Sequence, residues 1–291
     1  MSLFDLSARA KLRLTGSDRV RFLNGQVTND VRKAGPDLAL PACVLSAKGK
    51  IDSYVFISAG PDDLWIDAEA EAREPLAQRL DRYIIADDVT VEDVTEQFSL
   101  FHRTGENPPP LPNDATWRRA KRFGTAGWDL LVPATEHEQT RQALAAHDTF
   151  CDPEETERWR IEQGIPRWGQ ELTDQIIPVE ANLTEEAVDY AKGCYIGQEV
   201  ISRMKMSGQT NKRLCGLRAL DEKPLATTMR LFADEKDVGW ITSATRSESL
   251  GKDIALGYVK RGFNQPGTQL SGRDPGSAEA VRVEVVELPF G

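Results

Sequence analysis

From residue 212 to its end, the chain has room for little besides a small all-β fold. RLCGLRAL, MRLFA, VGWITSAT, IALGYV, TQLSG and VRVEVVE follow one another as short strand-like runs, and no helical pattern between them is longer than two turns. Turn residues separate the runs, and short strands at such spacing make a small barrel or sandwich. Residues 1–211 read differently. Strand patterns at 10–16, 41–47, 51–58, 62–68, 89–94 and 127–133 are interspersed with helical ones. Ser17 is placed to cap a short helix, DRVRFLNG, ending at Gly25. EAEAREPLAQRLDRYII (69–85) carries Leu76, Leu80, Tyr83 and Ile84 on one helical face. Helices are also expected over 136–147 and 153–163, the second opened by Asp152-Pro153 and closed by Gly164 and Pro166. The proline-rich run TGENPPPLPN (104–113) continues neither kind of element. The expected fold class is α+β, with a body over 1–211 and a β domain over 212–291.

Composition narrows the function. With 291 residues, 40% of them hydrophobic, the chain can bury a sizeable core. A net charge of −10 argues against a dedicated nucleic-acid binder, so no direct DNA binding is expected. Cys43, Cys151, Cys194 and Cys215 show no C-x-x-C spacing, which fits a reducing compartment. His102, His137 and His147 lack ligand spacing with any cysteine, so no protein-bound metal is expected. The N-terminus has no secretory h-region, and no run approaches the ~18 apolar residues of a membrane span. These features read as a cytoplasmic protein with no membrane partner.

The sharpest motif is KGCYIGQE (192–199). Cys194 lies between Gly193 and Tyr195, two residues after Lys192, with a second glycine at Gly197. IGQEVISRM has helical character, which puts the thiol near a helix N-terminus; a cation and a helix N-terminus both favour thiolate. The competing reading is a buried cysteine acting as a small hydrophobe. The charged and glycine neighbours weigh against it for Cys194, and the apolar neighbours favour it for the other three. GIPRWGQELTDQIIPVEANL (164–183) is a long irregular run, either functional or a surface connection. RVRFLNGQVTND (19–30) gathers Asn24, Gln26, Thr28, Asn29 and Asp30, able to bond a polar heterocycle or simply to form a turn. Asp129 sits in the apolar strand GWDLLVP and needs a partner, either a ligand with two N–H groups or a local arginine. Lys192, Arg203, Lys205, Lys212 and Arg213 form a basic stretch suited to a carboxylate tail or an RNA backbone, or a solvated helix face.

Together these segments resemble the glycine-cleavage T-protein superfamily, the folate-dependent aminomethyltransferases. The resemblance runs nearly end to end, through RVRFLNGQVTND, LSAKGKID (45–52), GWDLLVP, ERWRIEQGIPRWGQELTDQIIPVEANL (157–183) and the closing strands. KGCYIGQE resembles the signature of its YgfZ branch, folate-binding proteins that support iron–sulfur proteins. The resemblance implies three lobes around a central cavity for tetrahydrofolate, with a small C-terminal β-barrel. It implies that Asp129 pairs with the pterin, that Glu157 and Arg160 match the family's acid and arginine, and that Glu180 lies beside the ligand. Asn24, Asn29 and Tyr195 complete the expected folate contacts. Asp52, Lys192 and Cys194 are the expected working residues, with Lys192 tuning the thiol. The methyltransferases carry paired aspartates where this chain has Asp52-Ser53. That loss moves the expected function toward a tetrahydrofolate-binding accessory in iron–sulfur cluster assembly or repair. Its partners would be iron–sulfur proteins, assembly factors or tRNA-modifying cluster enzymes. Aminomethyl transfer is the alternative.

Overall fold

The computed structural model describes residues 1–108, 116–276 and 279–291; the end of the proline-rich run, 109–113, lies outside the described residues. In chain order, strands β1 (Ser2–Asp5) and β2 (Ala10–Thr15) precede helix α1 (Arg19–Gln26). Strands β3 (Leu40–Leu45), β4 (Ile51–Ala59) and β5 (Leu64–Ala68) follow, then helix α2 (Arg73–Asp81). Next come β6 (Thr90–Asp93), β7 (Phe98–Thr104), β8 (Trp117–Arg119), β9 (Gly127–Pro133), helix α3 (His137–Ala145) and β10 (Thr149–Phe150). Helices α4 (Pro153–Glu162), α5 (Thr184–Ala187) and α6 (Gln198–Ser207) lead into β11 (Lys212–Ala219), β12 (Arg230–Ala233), β13 (Lys236–Ser247), β14 (Lys252–Lys260), β15 (Gln269–Arg273) and β16 (Ala280–Val286). Among the described residues no helix is long and apolar enough to cross a membrane.

The chain forms two compact units, each from two separate segments: Met1–Asp152 with Leu183–Ser202, and Pro153–Asn182 with Arg203–Gly291. The first unit holds two five-stranded sheets, ordered β3-β4-β5-β2-β6 and β10-β1-β7-β9-β8. Alternation along β2, β4 and β5 sends Leu12, Leu14, Val55, Ile57, Leu64 and Ile66 to one face, where Phe22 and Leu23 of α1 and Leu76 and Leu80 of α2 cover them. Each such aliphatic side chain contributes about 1.5–3 kcal/mol when fully buried. The opposite face is unusual. There Phe56 stands in register with Asp67, and Asp67 in turn with Lys11.

The second unit is built on a closed antiparallel barrel, β11-β14-β13-β12-β15-β16. Its strands are the six runs read from residue 212 onward, and closure leaves no sheet edge to pair elsewhere. Leu217, Leu231, Ile241, Val259, Val283 and Val285 fill it. Helix α4 packs on β13 and β14.

Two local expectations need correction. Ser17 does not cap α1: its N–H and Oγ both donate to Asp88 Oδ2, at 2.9 and 2.8 Å. Helix α2 is shorter than 69–85. Pro75, in its first turn, has no N–H to donate to a preceding turn, so the helix cannot extend back to 69. At the other end Tyr83 and Ile84 donate to Leu80 O and Asp81 O, a tighter turn that closes the helix.

Candidate functional site

The motif KGCYIGQE lies against the end of α1 and the β3–β4 turn, all within the first unit. Lys192 is the fastener. Its Nζ donates to Asn24 O at 2.6 Å, Val27 O at 2.6 Å and Asn29 O at 2.9 Å. Those three bonds use every ammonium proton. Burial lowers the pKa of this group to about 8, although Asp30 and Asp189 act to raise it. Lys192 therefore locks the loop in place, where tuning of the thiol had been expected. Its ammonium also stands 5.0 Å from the centre of the Tyr195 ring, and Tyr195 is buried beneath it. Ile196 N–H donates to Gly25 O at 3.2 Å.

Gly197 makes the closest approach. Its φ is +85°, and a Cβ there would meet Ser46 O at 2.7 Å. Gly49, at φ +71°, reciprocates: a Cβ on it would meet Val200 Cβ at 2.8 Å. Only residues without side chains bring the motif and the β3–β4 turn this close. Helix α6 begins at Gln198, so Cys194 lies on the loop before it, outside the first turn. Among the four cysteines Cys194 is the exposed one; Cys43 and Cys215 are buried, and burial pushes their thiols up to about 12 and about 11.

Asp52 belongs to the same neighbourhood. Ser53 pairs with Val44 and Ile51 with Leu45, so Asp52 is an extra residue in β4, a bulge that re-aims its side chain. The carboxylate, a third exposed, lies 3.6 Å from Arg79 Nε. Arg79 also donates to Gln26 Oε1 at 2.9 Å and to Leu45 O at 3.3 Å. Ser53 is 1% exposed, and its Oγ has no hydrogen-bond partner among the described residues.

The asparagines bind the chain itself. Asn29 Nδ2 donates to Pro41 O and Glu186 O, at 2.9 and 3.0 Å, and its Oδ1 accepts from Asp30 N–H. Asn24 Oδ1 accepts from Val31 N–H at 3.0 Å. Contact of Asn29 with a ligand would require an exchange of these partners.

Asp129 lies elsewhere in the first unit and has found a local arginine. Arg122 Nε and Nη2 donate to Asp129 Oδ2 at 2.8 and 2.6 Å, and His102 Nδ1 stands 2.8 Å from Oδ1. Arg122 also grips Asp67, with Nη1 to Oδ1 at 2.9 Å and Nη2 to Oδ2 at 2.7 Å. Its guanidinium lies 4.1 Å from the centre of the Phe56 ring. Burial acts to raise the Asp129 pKa, but Arg122 and the His102 hydrogen bond hold it far below the usual carboxylate range.

The two remaining expected residues are in the second unit. Arg160 donates to Glu157, Ile165 O, Glu171 and Ser243, which accounts for all five guanidinium protons. Glu180 accepts from Ile177 N–H at 3.2 Å and from Lys212 Nζ at 3.0 Å. Lys212 is thus spent on Glu180 and Lys192 on carbonyls, which removes two cations from the expected basic patch. Arg122, Asp67, His102 and Glu171 were not foreseen. A clue existed only for Glu171, which sits within the irregular run already singled out.

The fold, an α+β chain ending in a small closed barrel, is that of a T-protein. Residues 212–290 match the family described as Glycine cleavage T-protein C-terminal barrel domain. The crystal structure of glycine cleavage system aminomethyltransferase T from Bartonella henselae superposes with a TM-score of 0.86 at 17% identity, over 100% of this chain and 86% of that one. An aminomethyltransferase of Shouchella clausii is 26% identical over 318 residues, covering 99% of this chain and 86% of its own length. One from Thermosynechococcus vestitus is 26% identical over 294 residues, covering 93% and 80%. In its barrel, its fold and its end-to-end likeness the chain is similar to the glycine-cleavage T-proteins.

Proposed function

We propose that the chain binds tetrahydrofolate and handles a one-carbon unit in the manner of an aminomethyltransferase, with Asp52 at the reacting end. One observation carries this reading beyond the likeness to proteins of that name. Of the two positions matching the paired aspartates, the retained Asp52 is a third exposed, and the replaced one, Ser53, is enclosed. The acid that a ligand can reach is therefore still present, so the loss at position 53 weighs less against transfer than the sequence implied. When bound, tetrahydrofolate supplies the nitrogens that accept the one-carbon unit. Asp52 would hold positive charge beside them, with Arg79 fixing its direction. Titration of the purified chain with tetrahydrofolate, followed by tryptophan fluorescence, tests the binding half. Turnover of an aminomethyl donor, abolished in Asp52→Asn, tests the chemical half. Saturable binding with no turnover would leave the folate reading and remove the transferase.

A second reading is favoured by the thiol. Cys194 is exposed on a loop held by Lys192, Ile196 and Gly197, so it is presented rigidly to the outside. Such a thiol suits a YgfZ-type accessory that serves cytoplasmic iron–sulfur proteins, including tRNA-modifying enzymes. Cells lacking the protein should regain the activity of a cluster enzyme with the natural chain and not with Cys194→Ala. Full rescue by that variant removes Cys194 from the function.

A further inference from the structure

Asp52 shares one cation with a second polar side chain. Arg79 spends Nη1 on Gln26 Oε1, at 2.9 Å, and Nη2 on Leu45 O, at 3.3 Å. Its Nε stands 3.6 Å from Asp52 Oδ2, and the Tyr83 ring centre lies 4.0 Å from the guanidinium. A guanidinium donates and never accepts, so it holds a carboxamide only by the oxygen. The amide nitrogen of Gln26 is therefore turned away from Arg79. Gln26 is 8% exposed, and among the described residues its Nε2 has no hydrogen-bond partner. Leaving such a donor unpaired costs about 1–3 kcal/mol when it is buried. The neighbouring amides behave differently: Asn24 and Asn29 have both bonded their side chains to the backbone.

One nitrogen of Arg79 thus faces an acid that is a third exposed, and another holds a carboxamide whose far end is an unspent donor. Asp52 attracts a cation, but Arg79 beside it repels one. A bare ammonium gains little from that pair. A zwitterion gains twice. Its ammonium meets Asp52, and its carboxylate meets Gln26 Nε2 within the attractive field of Arg79.

We propose that Gln26 is a binding residue of the reacting end, and that the amine accepted there is a free amino acid, held by its ammonium on Asp52 and by its carboxylate on Gln26 Nε2. The proposal rests on the reading of Asp52 as the acid that holds positive charge. Arg79 is then a positioning residue that fixes both side chains. Glycine and methylamine test it, because they share an ammonium on one carbon and only glycine adds a carboxylate. Saturation-transfer NMR on the full chain, with no folate present, should show glycine bound about tenfold tighter than methylamine, the worth of one charge-assisted hydrogen bond. Gln26→Glu separates binding from structure, since it keeps an oxygen on Arg79 and puts an acceptor where the donor was. It should remove the advantage of glycine and leave methylamine bound at least as tightly, with an unchanged melting temperature. Asp52→Asn should weaken both ligands. Glycine bound as expected, with no tetrahydrofolate binding or turnover, would remove the transferase and leave this site standing. Equal binding of the two probes by the natural chain, or binding of neither, would overturn the proposal. So would glycine binding unchanged in Gln26→Glu, or a fall of both ligands together in that variant, which would make Gln26 a support of the fold alone.

Discussion

Lys192 and Cys194 lie two residues apart and do opposite things. The lysine faces inward and gives its three protons to backbone carbonyls; the cysteine faces out. Motif reading located both, because charge, glycine and thiol occur together in KGCYIGQE. It missed the lysine's fastening role because a sequence does not show that the turn after α1 leaves three carbonyls in need of a donor. Replacing Lys192 by Met should therefore damage stability first. It removes three bonds and leaves buried carbonyls unsatisfied, a loss of about 2–4 kcal/mol. Cys194→Ala should change stability by no more than about 0.5 kcal/mol, as exposed substitutions do. Urea unfolding of the two variants measures the contrast. Equal stability of Lys192→Met and the natural chain would show that the ammonium is not the fastener.

Among the elements, legibility followed punctuation and periodicity. Strands β15 and β16 alternate in burial, and the more continuously buried β11 and β14 were visible because turn residues bound their apolar runs. Strand β7 was not: residues from Ser99 to Thr104 are all buried, so no alternation marks it. Strand β8 spans only three residues, too few for any pattern. The contact between α6's leading loop and the β3–β4 turn was equally hidden, because it depends on two glycines about 150 positions apart meeting in space. It is also fragile. Gly197→Ala must place a Cβ 2.7 Å from Ser46 O while holding a φ of +85°. The left-handed conformation alone costs roughly 1–2 kcal/mol, and the clash adds to it. The variant should melt several degrees lower, by about 4–8 °C per kcal/mol for a small domain and less for a larger one. It should also show faster amide exchange over the β3–β4 turn. Protection unchanged at that turn would mean that the two segments do not depend on each other.

For the molecule as a whole, the buried cluster around Arg122 sets how the fold responds to acid. None of its long-range pairings was legible. Arg122 and Asp67 are 55 positions apart, and no local pattern couples them. The consequences have definite signs. Burial holds His102 below its ordinary pKa of 6.5, so the unfolded chain takes up that proton first and stability falls as pH drops below about 6.5. Asp129 is held below its ordinary 3.8 by Arg122 and His102 against the opposing effect of burial. Its contribution is complete above that value and is lost as pH falls further. Asp129→Asn should cost about 3–5 kcal/mol at pH 7, because it leaves Arg122 with one buried carboxylate in place of two. Below the ordinary carboxylate pKa of about 4 the variant should lose stability less steeply than the natural chain, since it no longer has this proton to take up. Urea titrations from acid to neutral pH, followed by tryptophan fluorescence, give both curves. Parallel curves over the whole range would show that Asp129 carries no linked proton. The acid limb of the stability profile would then have to come from the other ion pairs, such as Glu157 with Arg160, whose carboxylate is also held below its ordinary value.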